Sequence, residues 1–357
     1  MMRLGLLLAI SLMGQSAAYG DTPKFRQAMA VWDTKEPSAR ALTASELTAR
    51  QGWTEISSPA AAHAFQGDAV VTNGRILVSV RKRAAAAEVY TLGEKGIVER
   101  LGLHLLGTGN AAGTTLQRAT LVENAKTAVS LEVAYATTQG AEVTARLRLK
   151  KGEVTLQVDP GKGADRLHVE CPSRFVVLPD FFADDIVVDP RSIPPEKIDL
   201  PSENFLLHMT GNGDALATVV FENRKEDVAA TLAGTKERRL ITGSEIPFES
   251  KKIWVALLDA PGVWHAHDVN SDDAGKTVPL DWKMPFPAHW RLDFTRTDDL
   301  TDSWDMLLQR QDRRFVKPTT LGGGADVLDQ NRRRWNTVLG NFSYPCWVEQ
   351  DGHGFVH

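Results

Sequence analysis

From Asp68 onward the apolar residues of this chain recur at every second position. Val129, Leu131, Val133 and Tyr135 alternate with Ser130, Glu132 and Ala134. Val143, Ala145, Leu147 and Leu149 alternate with Thr144, Arg146, Arg148 and Lys150. A turn at Lys151-Gly152 leads to Val154, Leu156 and Val158 against Thr155 and Gln157. Ile76, Val78 and Val80 keep the same beat, and Leu167, Val169 and Cys171 face away from His168 and Glu170. A side-chain period of two belongs to a strand with one buried face. Strand, short turn and strand again, with almost no helical spacing, means antiparallel β structure.

More strands follow at Phe205–Met209, Leu216–Glu222, Asp227–Leu232, Arg238–Thr242 and Lys252–Asp259, with Gly211-Asn212-Gly213-Asp214 as a turn. In Ile253–Leu258 both parities are apolar, which predicts a strand covered on both faces. Four prolines between Asp189 and Pro201 predict an extended crossover. Helical spacing is rare. Ala41–Arg50 reads as a short helix starting near Thr43 or Ser45, and Leu300, Trp304, Leu307 and Leu308 share a helical face. The expected fold is therefore all-β: one large antiparallel β-sandwich, followed by a short helical or irregular aromatic-rich segment. Two immunoglobulin-like sandwiches are the alternative. Across residues 60–270 the strand pattern resembles the galactose-mutarotase-like supersandwich of secreted carbohydrate enzymes. That resemblance implies a carbohydrate-active protein and names no catalytic residue.

The N-terminus bears on compartment. Arg3 precedes an apolar run from Leu4 to Met13, and small residues follow through Gly20. That is the layout of a cleaved secretory signal, short as in bacteria, and the run is too short to span a bilayer. The expected divisions are a signal peptide (1–20), an N-terminal arm (21–66), the sandwich (67–270) and an aromatic, basic C-terminal segment (271–357). The product is expected to be secreted or periplasmic. A net charge of −4 argues against a nucleic-acid binder. The two cysteines, Cys171 and Cys346, can pair in an exported protein, or Cys171 can stay a buried thiol. Asp351-Gly352 reads as the turn of a hairpin whose second strand has barely begun, which leaves open that the chain continues past His357.

Chemistry-bearing residues gather late. Five of the nine tryptophans lie between Trp254 and Trp304. In Trp264-His265-Ala266-His267-Asp268, His265 and His267 share one face of a strand and can hold a divalent ion such as zinc, with Asp268 orienting one of them. The acidic loop Asn270–Lys276 is a weaker calcium candidate. No other cofactor is implied. Asp184 and Asp185 lie close after Phe181 and Phe182, so apolar neighbours can raise one carboxyl while another stays ionised. Glycosidic cleavage needs that split, with Asp293 as a partner from the later segment. Trp264, Trp282, Trp290 and Trp335 offer flat faces for sugar rings. Arg291 and Arg296 offer forks for carboxylate or sulfate. The expected partner is a polysaccharide, neutral or acidic. The expected activity is its cleavage by hydrolysis or elimination, with acid–base roles for Asp184, Asp185, His265, Asp268 and Asp293. A glycan-binding or envelope module without catalysis is the alternative, and a metal-dependent hydrolase at His265 and His267 the third reading.

Overall fold

A computed structural model describes residues 29–59, 62–93, 96–178, 186–200, 204–222, 228–264 and 266, and beyond them the backbone of eight further strands. The chain divides into two compact units, Tyr19–Ala260 and a second formed by Pro261–His357 with Met1–Ala18.

The first unit is almost entirely antiparallel strand. It opens with β1 (Ala30–Asp33), α1 (Ala44–Ala49), β2 (Thr54–Glu55) and β3 (His63–Ala64). A meander follows through β4 (Ala69–Thr72), β5 (Ile76–Val80), β6 (Ala87–Gly93), β7 (Gly96–Gly107), β8 (Ala111–Asn124), β9 (Ala128–Thr137), β10 (Glu142–Lys150) and β11 (Thr155–Pro160). The long β12 (Arg166–Leu178) leads to β13 (Ile186–Val188), β14 (Lys197–Leu200), β15 (Phe205–Thr210) and β16 (Ala215–Phe221). The unit ends with β17 (Val228–Ala233), β18 (Leu240–Pro247) and β19 (Ile253–Asp259).

These strands form one hydrogen-bonded network, so the single large sandwich is observed rather than two immunoglobulin-like ones. One sheet runs β14–β17–β18–β12–β7–β6–β5–β4–β1. The other runs β12–β15–β16–β19–β11–β10–β9–β8. Strand β12 belongs to both. Its first half pairs with β7 and β18, and its second half with β15 and β13. The register shifts between Glu170 and Ser173, where the strand changes sheets.

The inward parity of both sheets makes the main core, including Leu103, Leu167, Val169, Leu147, Leu156, Val219 and Val255. A second, smaller core lies under α1 and joins Trp32, Leu47, Val70, Leu77, Tyr90 and Leu92. Helix α1 starts where expected. Thr43 and Glu46 form a reciprocal capping box, and Arg50 closes the helix in the left-handed region at φ 44°. The buried Asp33 carboxylate accepts backbone N–H groups from Lys35, Gln66 and Gly67 and meets His63 Nε2 at 3.0 Å. Burial alone would raise its pKa, but these bonds outweigh burial and hold it down at about 2.

Two sequence expectations change here, and a third question is answered. Strand β19 is covered on one face: Ile253, Val255 and Leu257 are buried, while Trp254 and Ala256 are partly exposed and Leu258 is 39% exposed. Its apolar outer parity shares the outward face with its neighbours Thr218 and Val220 of β16. Within the proline-rich crossover, Lys197–Leu200 escapes proline and pairs with β17. Cys171 is a free, fully buried thiol, one of the two outcomes the sequence left open; burial pushes it up to about 11.

The second unit contributes β20 (Thr277–Pro279), β21 (Ala288–Thr295), β22 (Thr301–Leu308), β23 (Thr319–Leu321), β24 (Arg334–Thr337), β25 (Gly340–Ser343), β26 (Cys346–Val348) and β27 (His353–Val356). The helix expected around Leu300–Leu308 is instead β22, held between β21 and β23. Trp304, Met306 and Leu308 also fit a period of two, and strand neighbours on both sides decide between the two readings. The hairpin read around Asp351-Gly352 is present as β26 paired with β27. No helix among the described residues is long and apolar enough to cross a membrane.

Candidate functional site

The outer face of the first sheet carries a close group of titratable side chains. Two lateral rows build it. In one, Glu88, Gly102, Glu170, Gly243, Thr231 and Lys197 stand opposite one another across β6, β7, β12, β18, β17 and β14. In the next outward row, His104, His168, Glu245, Ala229 and Asp199 do the same from β7 to β14. The parity that buries Leu103, Leu105, Leu167 and Val169 turns these residues outward.

At the centre, His104 Nε2 lies 2.8 Å from Glu170 Oε2, with the imidazole 23% and the carboxylate 54% exposed. Glycines flank Glu170 on both sides in its row, so no neighbouring side chain hides the pair. A Cβ on Gly102 would sit 3.3 Å from Glu170 Oε2 and 3.4 Å from His104 Nε2. A Cβ on Gly243 would come within 3.0 Å of His168 Cε1 and collide with the Val169 carbonyl oxygen. Glycine at both positions thus makes room for the dyad and for His168.

His168 is the second imidazole, with its ring centroid 5.6 Å from that of His104. Its Nδ1 is buried and has no hydrogen-bond partner among the described residues. Burial, then the neighbouring His104, push His168 below the usual imidazole range and keep it neutral. Beside it, Glu245 accepts from Lys197 Nζ at 2.6 Å. Glu99, on β7, is raised above the usual carboxylate range, first by desolvation and then by Glu88. Glu88 itself is buried, accepting from Tyr90 Oη at 2.7 Å and from the Arg81 guanidinium.

With Nε2–H directed at Glu170, the neutral His104 ring leaves its Nδ1 lone pair available. The carboxylate fixes that tautomer and the orientation of the ring. The arrangement can accept and return one proton on an open surface. Among the described residues, no three His, Cys, Asp or Glu side chains are placed to hold a metal ion.

Neither row contains a residue singled out from sequence. Asp184, Asp185, His265, His267, Asp268, Trp282 and Arg296 fall outside the described residues, as does the loop 270–276. Trp264 is half-buried. Trp290, Arg291 and Asp293 lie on β21, where they stand opposite Met306, Asp305 and Ser303, and Trp335 on β24 stands opposite Phe342. His168 and Glu170 were visible as outward residues of one strand. His104 sits in the same alternation within Leu-Gly-Leu-His-Leu, but nothing local to it announces that it will meet them.

No protein-family model matches the chain, and no curated protein matches it by sequence. Among solved structures, a glycoside hydrolase of family 81 from Clostridium thermocellum is similar, with 9% identity and a TM-score of 0.33 over 71% of this chain and 31% of that one. A heparan sulfate lyase, HepC from Pedobacter heparinus, is similar with 7% identity and a TM-score of 0.32 over 77% of this chain and 45% of that one. The chain spans less than half the length of either. Likeness at this level transfers no residue and no activity.

Proposed function

We propose that this chain is an exported carbohydrate-active protein on a supersandwich of the galactose-mutarotase-like type. In this reading it cleaves a polysaccharide with His104 as the acid–base group and Glu170 as its orienting partner. The observation that carries the reading is the 2.8 Å His104–Glu170 bond on an open sheet face, between two glycines that keep it accessible. Neighbouring strands lie about 4.8 Å apart, close to the length of one sugar residue. A polymer lying across the strands therefore meets one side chain of each row per sugar.

His104 Nδ1 can serve either of two reactions. In hydrolysis it takes a proton from water as the oxygen attacks the anomeric carbon, the departing glycosidic oxygen takes a proton from solvent, and His104 then returns its own proton to solvent. In elimination it takes the proton from the carbon beside a uronate carboxylate, the C–O bond breaks to leave a C=C bond, and the departing oxygen takes up that proton by way of His104 or solvent.

The test is to incubate the protein with neutral and uronate polysaccharides, following new reducing ends and the ultraviolet absorbance of a new C=C bond separately. His104→Ala should lower the rate by about 100-fold or more, and Glu170→Gln should lower it with the fold intact. A folded His104→Ala variant that cleaves at the parent rate, or a panel on which the parent yields no product, overturns the reading.

A further inference from the structure

The second sheet also presents an outer face, and one lateral row crosses it. Arg148, Gln157, Trp254, Val220 and Phe205 stand opposite one another on β10, β11, β19, β16 and β15. Their inward neighbours Leu147, Leu156, Val158, Ile253, Val255 and Val219 are buried, so the row points outward. Trp254 and Phe205 are partly exposed, and Val220 is 40% exposed.

The polar end of the row is already organised. Gln157 Nε2 donates to both Asp159 oxygens at 3.0 and 2.9 Å, which orients the amide and leaves its Oε1 as an acceptor. Arg148 is anchored by Glu123 through Nε at 3.0 Å and Nη2 at 3.2 Å, which leaves Nη1 as a donor. Lys252 Nζ stands 3.8 Å from Asp159. At the other end, where β16 ends and β19 begins, Asn204, Phe221, Glu222 and Lys251 line an open groove of about 460 Å³.

We infer that this face is a second glycan-binding surface, separate from the His104 face, with Trp254 as its stacking platform and Gln157 and Arg148 as its hydroxyl-reading groups. An indole offers an apolar plane that matches the CH-bearing side of a sugar ring, while an oriented amide and guanidinium match its hydroxyls. The donors and acceptors begin one strand away from the indole, at the spacing of one sugar residue. A hydrophobic protein partner would bury Arg148 Nη1 and Gln157 Oε1 without offering either a hydrogen-bond partner, which is costly. A hydroxylated polymer satisfies them. The inference shares the carbohydrate reading of the His104 face but does not depend on cleavage there.

Binding is measured with the His104→Ala chain, so that little product forms, by retardation in gels containing either a soluble β-glucan or polygalacturonate. Retardation by at least one polysaccharide is expected, and Trp254→Ala should weaken it about tenfold while the thermal unfolding midpoint is kept. Trp254→Phe should retain most of it, and Gln157→Ala should weaken it less than Trp254→Ala. Unchanged retardation in a folded Trp254→Ala chain overturns the inference. So does a parent chain that neither polysaccharide retards, or a dimer that Trp254→Ala dissociates, which would make the face a contact between copies. Cleavage by the parent with Trp254-independent retardation sinks this inference and spares the His104 reading; Trp254-dependent retardation without cleavage does the reverse.

Discussion

The two outer faces of the sandwich are built on the same alternation and carry different chemistry. On the first sheet the outward rows hold His104, His168, Glu170 and Glu245, with glycine at Gly102 and Gly243 opening the space around Glu170. On the second sheet the outward row runs from Arg148 and Gln157 to Trp254, Val220 and Phe205. One face offers a proton-transfer pair with little apolar area beside it, and the other an aromatic platform with fixed hydrogen-bonding groups. A sandwich buries one face of each sheet regardless of what the other carries, so the outward parity of each sheet is free to specialise. The seam between them is β12, and the residue that ties it is His208 on β15. Its Nδ1 lies 3.1 Å from Ser173 Oγ on β12 and its Nε2 3.0 Å from Ser244 Oγ on β18, in full burial.

The largest expected effect acts on both faces at once, through that seam. Burial lowers His208 to about 4 in the folded chain against about 6.5 when unfolded. The unfolded chain therefore takes up a proton below about pH 6.5 that the folded chain refuses until about pH 4. The stabilisation is complete above 6.5 and is lost as pH falls toward 4, about 3 kcal/mol in all. Chemical denaturation of the parent and of His208→Gln at pH 7.5 and 4.5 checks this. The parent should lose more stability on acidification than the variant, and equal losses would show that His208 does not govern the seam.

Comparable in size is the loss of turnover in His104→Ala, about 100-fold, with polysaccharide retardation left near the parent value. Loss of retardation in step with turnover would mean that the two faces are not independent. Gly243→Ala comes next. The added methyl meets the Val169 carbonyl oxygen and the His168 ring, and should destabilise by about 1–3 kcal/mol through overpacking. A denaturation midpoint equal to the parent's would show that the trough beside Glu170 has slack. The smallest effect is that of Trp254→Ala, about tenfold in affinity, or about 1.4 kcal/mol, with the His104-dependent rate at saturating substrate unchanged.

Much of the fold was legible in advance, and the failures have identifiable causes. Alternation in 129–135 and 143–158 located β9, β10 and β11, and the Gly211–Asp214 turn sits between β15 and β16 as read. Leu300–Leu308 misled because Leu300, Trp304 and Leu308 satisfy a helical period while Trp304, Met306 and Leu308 satisfy a strand period. Two pairing strands, β21 and β23, settled it. Ile253–Leu258 misled because apolar residues on both parities do not reveal whether a second layer exists to cover them. The tryptophan-rich late segment drew attention by composition, whereas the dyad came from single residues in unremarkable strands 66 positions apart.

Parity is a property of the chain itself. Leu167 and Val169 must turn one way and His168 and Glu170 the other, because successive side chains in a strand alternate by geometry. The sequence therefore determined by itself that this protein is antiparallel β, which residues of each strand face inward, and that His168 and Glu170 share a face. Register is a property of the assembled sheet. That β7 lies beside β12 with His104 opposite His168, and that Trp254 stands in line with Gln157 and Arg148, follows from hydrogen bonding between strands far apart in the chain. A slip of one residue would turn every one of those side chains to the other face. The tertiary structure alone decided it, because the energy that fixes register comes from burying both sheets against a common core.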